Sequence, residues 1–586
     1  MKFFLAFLVL FSAPAWADHG LALYGQPKLP PDFAHFNYVN AKAPKGGVLK
    51  LAMAHGFDTF NPFGINGVSP AGINLLHDSL MKINMDEDFT QYGLIAKETD
   101  LSSDRKNVTF QLNPKAVFSD NSPITAEDVL FSFITLKEKG LPIYRAYYQD
   151  VDRAEILDRH RIRFHLKNTN NRELPLILGQ LPVLSKKYWH DKDFSKTTLD
   201  IPVASGPYVI KEFQPNRSIT YARNPNYWAK DLNVNVGFYN FDEIKYDTYL
   251  DSTVMVEAFR SGLTDLHTEN VAKRWHAEQE WPELQDGRIK SAEIPHHLPS
   301  GMQGFVFNLR NPLFQDIRVR QAITKVLDFD RINQNLFFGL YQRTTSYFDN
   351  SSLKAPPLPD ETELNLLKPY QAQLPPHTLD QVFELPVAVT RADLREAMDL
   401  LESAGWQVKD NVLQKDGKPF QFTLLLDALS APVWERIALP FVAQLKRLGI
   451  QAEIQKLDYL QYKTRVDSFD FDMIVSVFGA SLTPGNEQKD YWGTVAADTP
   501  GSNNLTGLKS SVADMLIDQI IQAKNKKSLI TAVHALDRFL LHNYLVVPHW
   551  YSDRTRLLHS PALQYPEKVP LQGMDLMTWW KNEIYP

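Results

Sequence analysis

Two histidine pairs, His296 with His297 and His534 with His542, are the residues in this chain best able to attract a metal ion. Adjacent histidines point apart in a loop, and a separation of eight residues exceeds two helical turns. Neither pair has a third ligand at useful spacing, so no metal site is expected. Other chemistry-bearing patterns are missing too. The sequence contains no G-x-x-x-x-G-K-[ST] phosphate loop, H-E-x-x-H helix, G-x-G-x-x-G fingerprint or G-x-S-x-G elbow. Cysteine is absent from all 586 residues, which removes disulfides, thiolate metal sites, cysteine nucleophiles and a lipid-bearing cysteine. No catalytic residue, metal or cofactor is expected. The alternative, an exported hydrolase acting on peptides or glycans, has abundant acids and histidines to draw on but no motif that concentrates them.

The surroundings of these residues are those of an exported protein. Met1 and Lys2 precede an apolar run from Phe3 to Phe11, and Ala15-Trp16-Ala17 forms a small-x-small cleavage site before Asp18. This predicts a signal peptide over residues 1–17, because the run is well short of the roughly 20 residues that span a bilayer. With no lipid-bearing cysteine, the mature chain is expected free in a periplasm, as a monomer with no membrane insertion. A net charge of -6 argues against nucleic acid or an anionic membrane surface as the main partner. The aromatic share of 12%, with 23 Tyr and 11 Trp, supplies rings for cores and for the walls of a wide binding cleft.

Periodicity places the elements. Tyr208 to Phe213 and Ser218 to Arg223 read as two strands joined by a Gln-Pro-Asn turn and followed by Asn224-Pro225-Asn226-Tyr227-Trp228. Val108 to Leu112 alternates apolar and polar residues, and Thr125 with Asp128 predicts a capping box for a helix carrying Val129, Phe133 and Leu136. Asp316 is placed to cap a helix whose Val319 and Ile323 face a core, and Thr390 with Asp393 forms a second capping box. A strand from Phe420 to Leu426, a helix from Trp434 to Leu448 kinked at Pro440, and a buried strand from Phe471 to Val477 complete an α/β pattern. Ser351 to Leu385, rich in proline and acids, reads as a surface excursion.

The Ser205-Gly206-Pro207-Tyr208 hairpin with its Asn-Pro-Asn-Tyr-Trp tail resembles the signature of family 5 extracellular solute-binding proteins. The strand, turn and Thr125-Ala126-Glu127-Asp128 helix resemble that family's second signature, and Gly304 to Arg310 followed by Pro312 to Ile323 resembles its third. The Arg343-Thr344-Thr345-Ser346-Tyr347 stretch and the Pro484-Gly485-Asn486-Glu487-Gln488 loop look most like the subgroup serving the Yej-type importer, which takes peptides and the peptide-nucleotide antibiotic microcin C. The resemblance implies an α/β, two-lobed periplasmic binding protein fold of type II, cluster C-like, with an extra inserted domain. One discontinuous lobe would comprise 18–74, 198–303 and 551–586, with residues 75–197 inserted and 304–550 as the second lobe. Chain crossings near Pro299 to Gly304 and Pro548 to Tyr551 would form the hinge. Its implied partners are a peptide held between the lobes and an inner-membrane ABC permease.

The same resemblance nominates ligand-binding residues. His55 and Phe57 lie in the loop after the first strand, Tyr144 precedes Tyr147 at the family's ligand-facing tyrosine, and Arg343 lies in the subgroup stretch. Where peptide-binding relatives carry an aspartate for the ligand's amino terminus, this chain has Phe478, Gly479 and Ala480 followed by Ser481. Glu487 and Asp490 follow in the same loop as replacement charges, with Tyr491 and Trp492 as walls. An extended peptide would otherwise be held through its own backbone groups against strand edges.

Overall fold

The computed structural model describes residues 18–428 and 430–582. The signal-peptide expectation lies outside the described residues. No helix among the described residues is long and apolar enough to cross a membrane. The chain divides into two compact units, one within Met1–Thr264, Ala562–Pro566 and Leu576–Pro586, the other Asp265–Pro561 with Glu567–Asp575. Residues 265–303, assigned by resemblance to the first lobe, therefore group here with the second unit.

In the first unit, the expected hairpin forms as Tyr208–Gln214 and Ser218–Arg223, with Asn216 at φ 59° in its turn. These strands extend a four-stranded sheet in which Glu243–Thr248 pairs in parallel with Val48–Met53. A second four-stranded sheet orders Ala96–Leu101, Asn107–Leu112, Arg161–Leu166 and Val151–Asp158. Every pair in it is antiparallel, so one face can pack while the other meets water. The helix Ala126–Lys139 covers this sheet, burying Val129, Phe133 and Leu136 against Phe110, Ile162 and Phe164. Its capping box is present: the Asp128 carboxylate accepts from the Thr125 backbone N–H at 2.9 Å.

The second unit centres on a five-stranded sheet in the order Gln451–Leu457, Gln421–Asp427, Met473–Phe478, Met302–Phe307 and Val546–Pro548. Met302–Phe307 is antiparallel to both neighbours, and Gly304 lies between them. A Cβ there would sit 2.3 Å from the Val547 carbonyl oxygen, so the close approach of these strands requires glycine. The helices Ile317–Lys325, Arg391–Ser403 and Ala431–Arg447 pack a core around Phe305, Phe314, Leu401 and Phe441. Asp316 and Thr390 cap the first two, and Pro440 lies inside the third.

Ser351 to Leu385 lies mostly at the surface, as expected, but is anchored at a few buried positions. It contains the helix Glu361–Leu367, whose Glu363 and Leu367 are fully buried. The cause is a charge pair no local pattern announces. Arg538 Nε donates to Glu363 Oε1 at 2.6 Å, and its Nη1 and Nη2 reach the carbonyls of Pro357 and Pro356 at 3.0 and 2.7 Å. Two prolines of this proline-rich segment thus supply carbonyl acceptors to a buried guanidinium. Arg538→Met leaves the Glu363 carboxylate buried without its partner and is expected to destabilise this unit by about 3 to 5 kcal/mol. Adding Glu363→Leu should recover most of the loss. Urea unfolding of both variants measures this, and a loss below about 1 kcal/mol, as for a surface pair, would show that water reaches the pair.

Candidate functional site

The nominated residues of the first unit fall into two environments. His55 is exposed, its Nδ1 at 3.0 Å from the Gly56 carbonyl oxygen. Phe57 is buried, stacked on Phe60 at 5.8 Å and edge-on to Phe213, so it shapes the loop from beneath. The short helix Pro142–Tyr148 carries the two tyrosines. Tyr144 is half-buried against Tyr148 and Phe63, and burial pushes its phenol up to about 12. Tyr147 is 41% exposed. Of the two, it is the ring available to a ligand.

In the second unit, Phe478 ends the strand Met473–Phe478 and is buried 4.4 Å from the Trp492 ring. Trp492 is also buried, edge-on to Tyr347 at 5.1 Å. These two rings pack the base of the loop. Gly479 and Ser481 are exposed above it. The two acids already have internal partners. Glu487 accepts from the Gly485 backbone N–H at 3.0 Å through each oxygen, and Asp490 accepts from Asn503 Nδ2 at 2.5 Å. Both lie on the short helix Glu487–Trp492 rather than in the expected loop, where Glu487 holds the turn before the helix and Asp490 ties the helix to Asn503.

Arg343 is different in kind. It lies on the two-stranded ladder where Gln342 and Arg343 pair with Tyr551 and Trp550. Its side chain is buried, with the guanidinium carbon 5.6 Å from the Phe329 ring. Among the described residues none of Nε, Nη1 and Nη2 finds a hydrogen-bond partner. Burial lowers its pKa to about 9, which still leaves it charged at neutral pH. Beside it, Thr344 N–H donates to the His549 carbonyl at 3.2 Å, while the Thr344 hydroxyl and both His549 ring nitrogens lack partners among the described residues. Phe305 meets the imidazole edge-on at 4.4 Å and Trp550 stacks on it at 4.8 Å. Burial first, and the Arg343 charge second, hold His549 well below the ordinary histidine range. Arg343 thus presents a buried guanidinium whose three nitrogens have no hydrogen-bond acceptor among the described residues, with the charge of Asp328 as its nearby anionic influence. Such a group has the chemistry to take a carboxylate or phosphate oxygen.

Sequence reasoning named Arg343 and missed His549. The available signal was a histidine closing the apolar run Leu545-Val546-Val547-Pro548 and followed by Trp550. The histidine pairs first considered for metal are engaged separately: His296 Nδ1 lies 3.2 Å from Asn350 Nδ2, and His534 Nε2 lies 3.3 Å from the Ser352 carbonyl. Burial lowers His542 to about 4.

The profile of bacterial extracellular solute-binding proteins, family 5 middle, matches residues 90–499. The chain is 38% identical to a probable peptide-binding protein YejA of Agrobacterium fabrum, over 98% of this chain and 95% of that protein. It is 35% identical to the peptidoglycan-binding protein YepA of the same organism, over 97% and 95% respectively. Its fold matches the oligopeptide-binding protein AppA of Bacillus subtilis, solved with a nonapeptide, at a TM-score of 0.65 and 19% identity, covering 92% of this chain and 100% of that one. This chain belongs to family 5 of the bacterial extracellular solute-binding proteins.

Proposed function

We propose that the protein is a periplasmic receptor that captures peptides between two lobes and delivers them to an inner-membrane ABC permease, without catalysing a reaction. Family membership supports the class, and the buried Arg343 supports the chemistry of the cargo. A guanidinium taken out of water without hydrogen-bond acceptors costs several kcal/mol, which the nearby Asp328 charge offsets only in part, and a carboxylate arriving in a bidentate pose restores that loss. Peptides end in a carboxylate, and peptidoglycan stems and peptide-nucleotides such as microcin C also present anionic oxygens. The free amine of a peptide, with neutral Ser481 in the expected anchor position, is read by Glu487 or Asp490.

Two measurements test these roles. Arg343→Met is expected to weaken free-acid peptides by about 2 to 5 kcal/mol and C-terminally amidated peptides far less. The same variant should unfold at higher urea than the parent, because it removes a buried unpaired charge. Equal loss for acid and amide peptides would remove Arg343 from carboxylate recognition. Replacing Glu487 and Asp490 by Gln and Asn is expected to weaken free-amine peptides relative to acetylated ones in calorimetric titration. A parent that binds both forms equally would show that the amine is not read. Native mass spectrometry of protein purified without unfolding tests the class itself: intact bound peptides support a receptor, and cleaved products support a hydrolase.

A further inference from the structure

Apart from the Arg343 group, the second unit brings three metal-ligating side chains together. His267 comes from the strand Leu266–Thr268, Glu269 directly follows it, and Glu278 is the last residue of the helix Ala272–Glu278. His267 Nε2 lies 3.1 Å from Glu278 Oε1 and 3.6 Å from Glu269 Oε2, and donor atoms from all three fall within 4.8 Å of one another. Ligands about 2.1 Å from a shared ion lie roughly 3.0 to 3.4 Å apart, so this spacing approaches that of a coordination shell.

The carboxylates are prepared for such a role. Glu269 is aimed by three donors: Val271 N–H reaches Oε1 at 2.6 Å, and Arg274 reaches Oε2 through Nε at 2.6 Å and Oε1 through Nη2 at 3.1 Å. Outer partners of this kind orient ligating carboxylates. Glu278 is 3% exposed, yet its Oε2 meets no donor among the described residues. A buried carboxylate oxygen left without a hydrogen bond is costly, and an ion is a partner that relieves that cost.

We propose that His267, Glu269 and Glu278 bind a first-row divalent cation of the zinc type, which ties the helix Ala272–Glu278 to the strand Leu266–Thr268. One imidazole with two carboxylates suits zinc better than calcium or magnesium, which prefer all-oxygen shells. With the Glu269 and Glu278 side chains 1% and 4% exposed, the ion would be structural and not exchangeable cargo.

The full chain, stripped with EDTA and titrated with zinc chloride at fixed alkaline pH, should bind one zinc per chain at micromolar affinity or tighter and melt at higher temperature when loaded. Glu278→Gln keeps the side-chain shape and should weaken binding at least roughly tenfold while abolishing the rise in melting temperature. X-ray absorption of the loaded parent requires no variant and should show one imidazole with oxygen ligands around zinc. No stoichiometric binding, unchanged affinity in Glu278→Gln, or more than one imidazole per zinc would overturn the site and leave the cluster an ion pair only.

Discussion

A charge removed from water must be met by a partner, and this constraint organises the second unit. Arg538 meets Glu363 and two proline carbonyls. Arg310 donates to Asn308 Oδ1 at 2.9 Å and to the carbonyls of Ala497, Asn504 and Leu505, tying a sheet edge to a distant loop. Arg320, also buried, reaches the carbonyls of Phe314 and Asn543 at 2.7 Å each. Asp537 accepts from Ser346, Tyr347 and Ala355, and burial nevertheless raises it to about 6. Against these satisfied groups, Arg343 stands out through three nitrogens that lack partners among the described residues. The other buried charges are enclosed by protein acceptors, whereas Arg343 relies on the charge of Asp328 and the face of the Phe329 ring.

The elements legible in the sequence were those whose signals are local. Thr125 with Asp128 and Thr390 with Asp393 satisfy helix N-terminal groups within four residues, so their pattern survives without knowledge of the tertiary structure. The hairpin at Gln214 to Ser218 is equally local. What escaped depends on distance along the chain. The helix Glu361–Leu367 is buried because Arg538, 175 residues away, requires Glu363. Proline and acid content described the segment's largely exposed environment correctly but gave no sign of the buried Glu363 that anchors it.

The same division runs through the candidate site. The family resemblance nominated Phe57, Phe478 and Trp492, but position in a motif cannot tell a wall from a floor, and all three are buried against other rings. Tyr147 and Tyr148 are neighbours on one short helix, yet one is 41% exposed and the other 1%. Successive residues on a helix are turned by about 100° from one another, so these neighbours face solvent and core respectively. His549 and His267 were missed for a related reason: each gains its meaning from residues far away in sequence, Arg343 for the first and Glu278 on a different element for the second.

Leaving Arg343 unpaired has a cost that evolution of a stable scaffold alone would remove. An aliphatic side chain of similar length would fill the space beside Phe329 and spare the fold a desolvated cation. The surrounding groups compensate only in part: the Asp328 charge favours the cation, but no acceptor among the described residues reaches its nitrogens, and His549 is held neutral. Stability lost at such a place is recovered only when a ligand with the complementary charge is bound. Affinity and instability then have the same origin, and cargo lacking an anionic group would pay the desolvation of Arg343 without relieving it. On the proposed reading, the buried cation is in this way a selector against neutral cargo as much as an anchor for an acidic one.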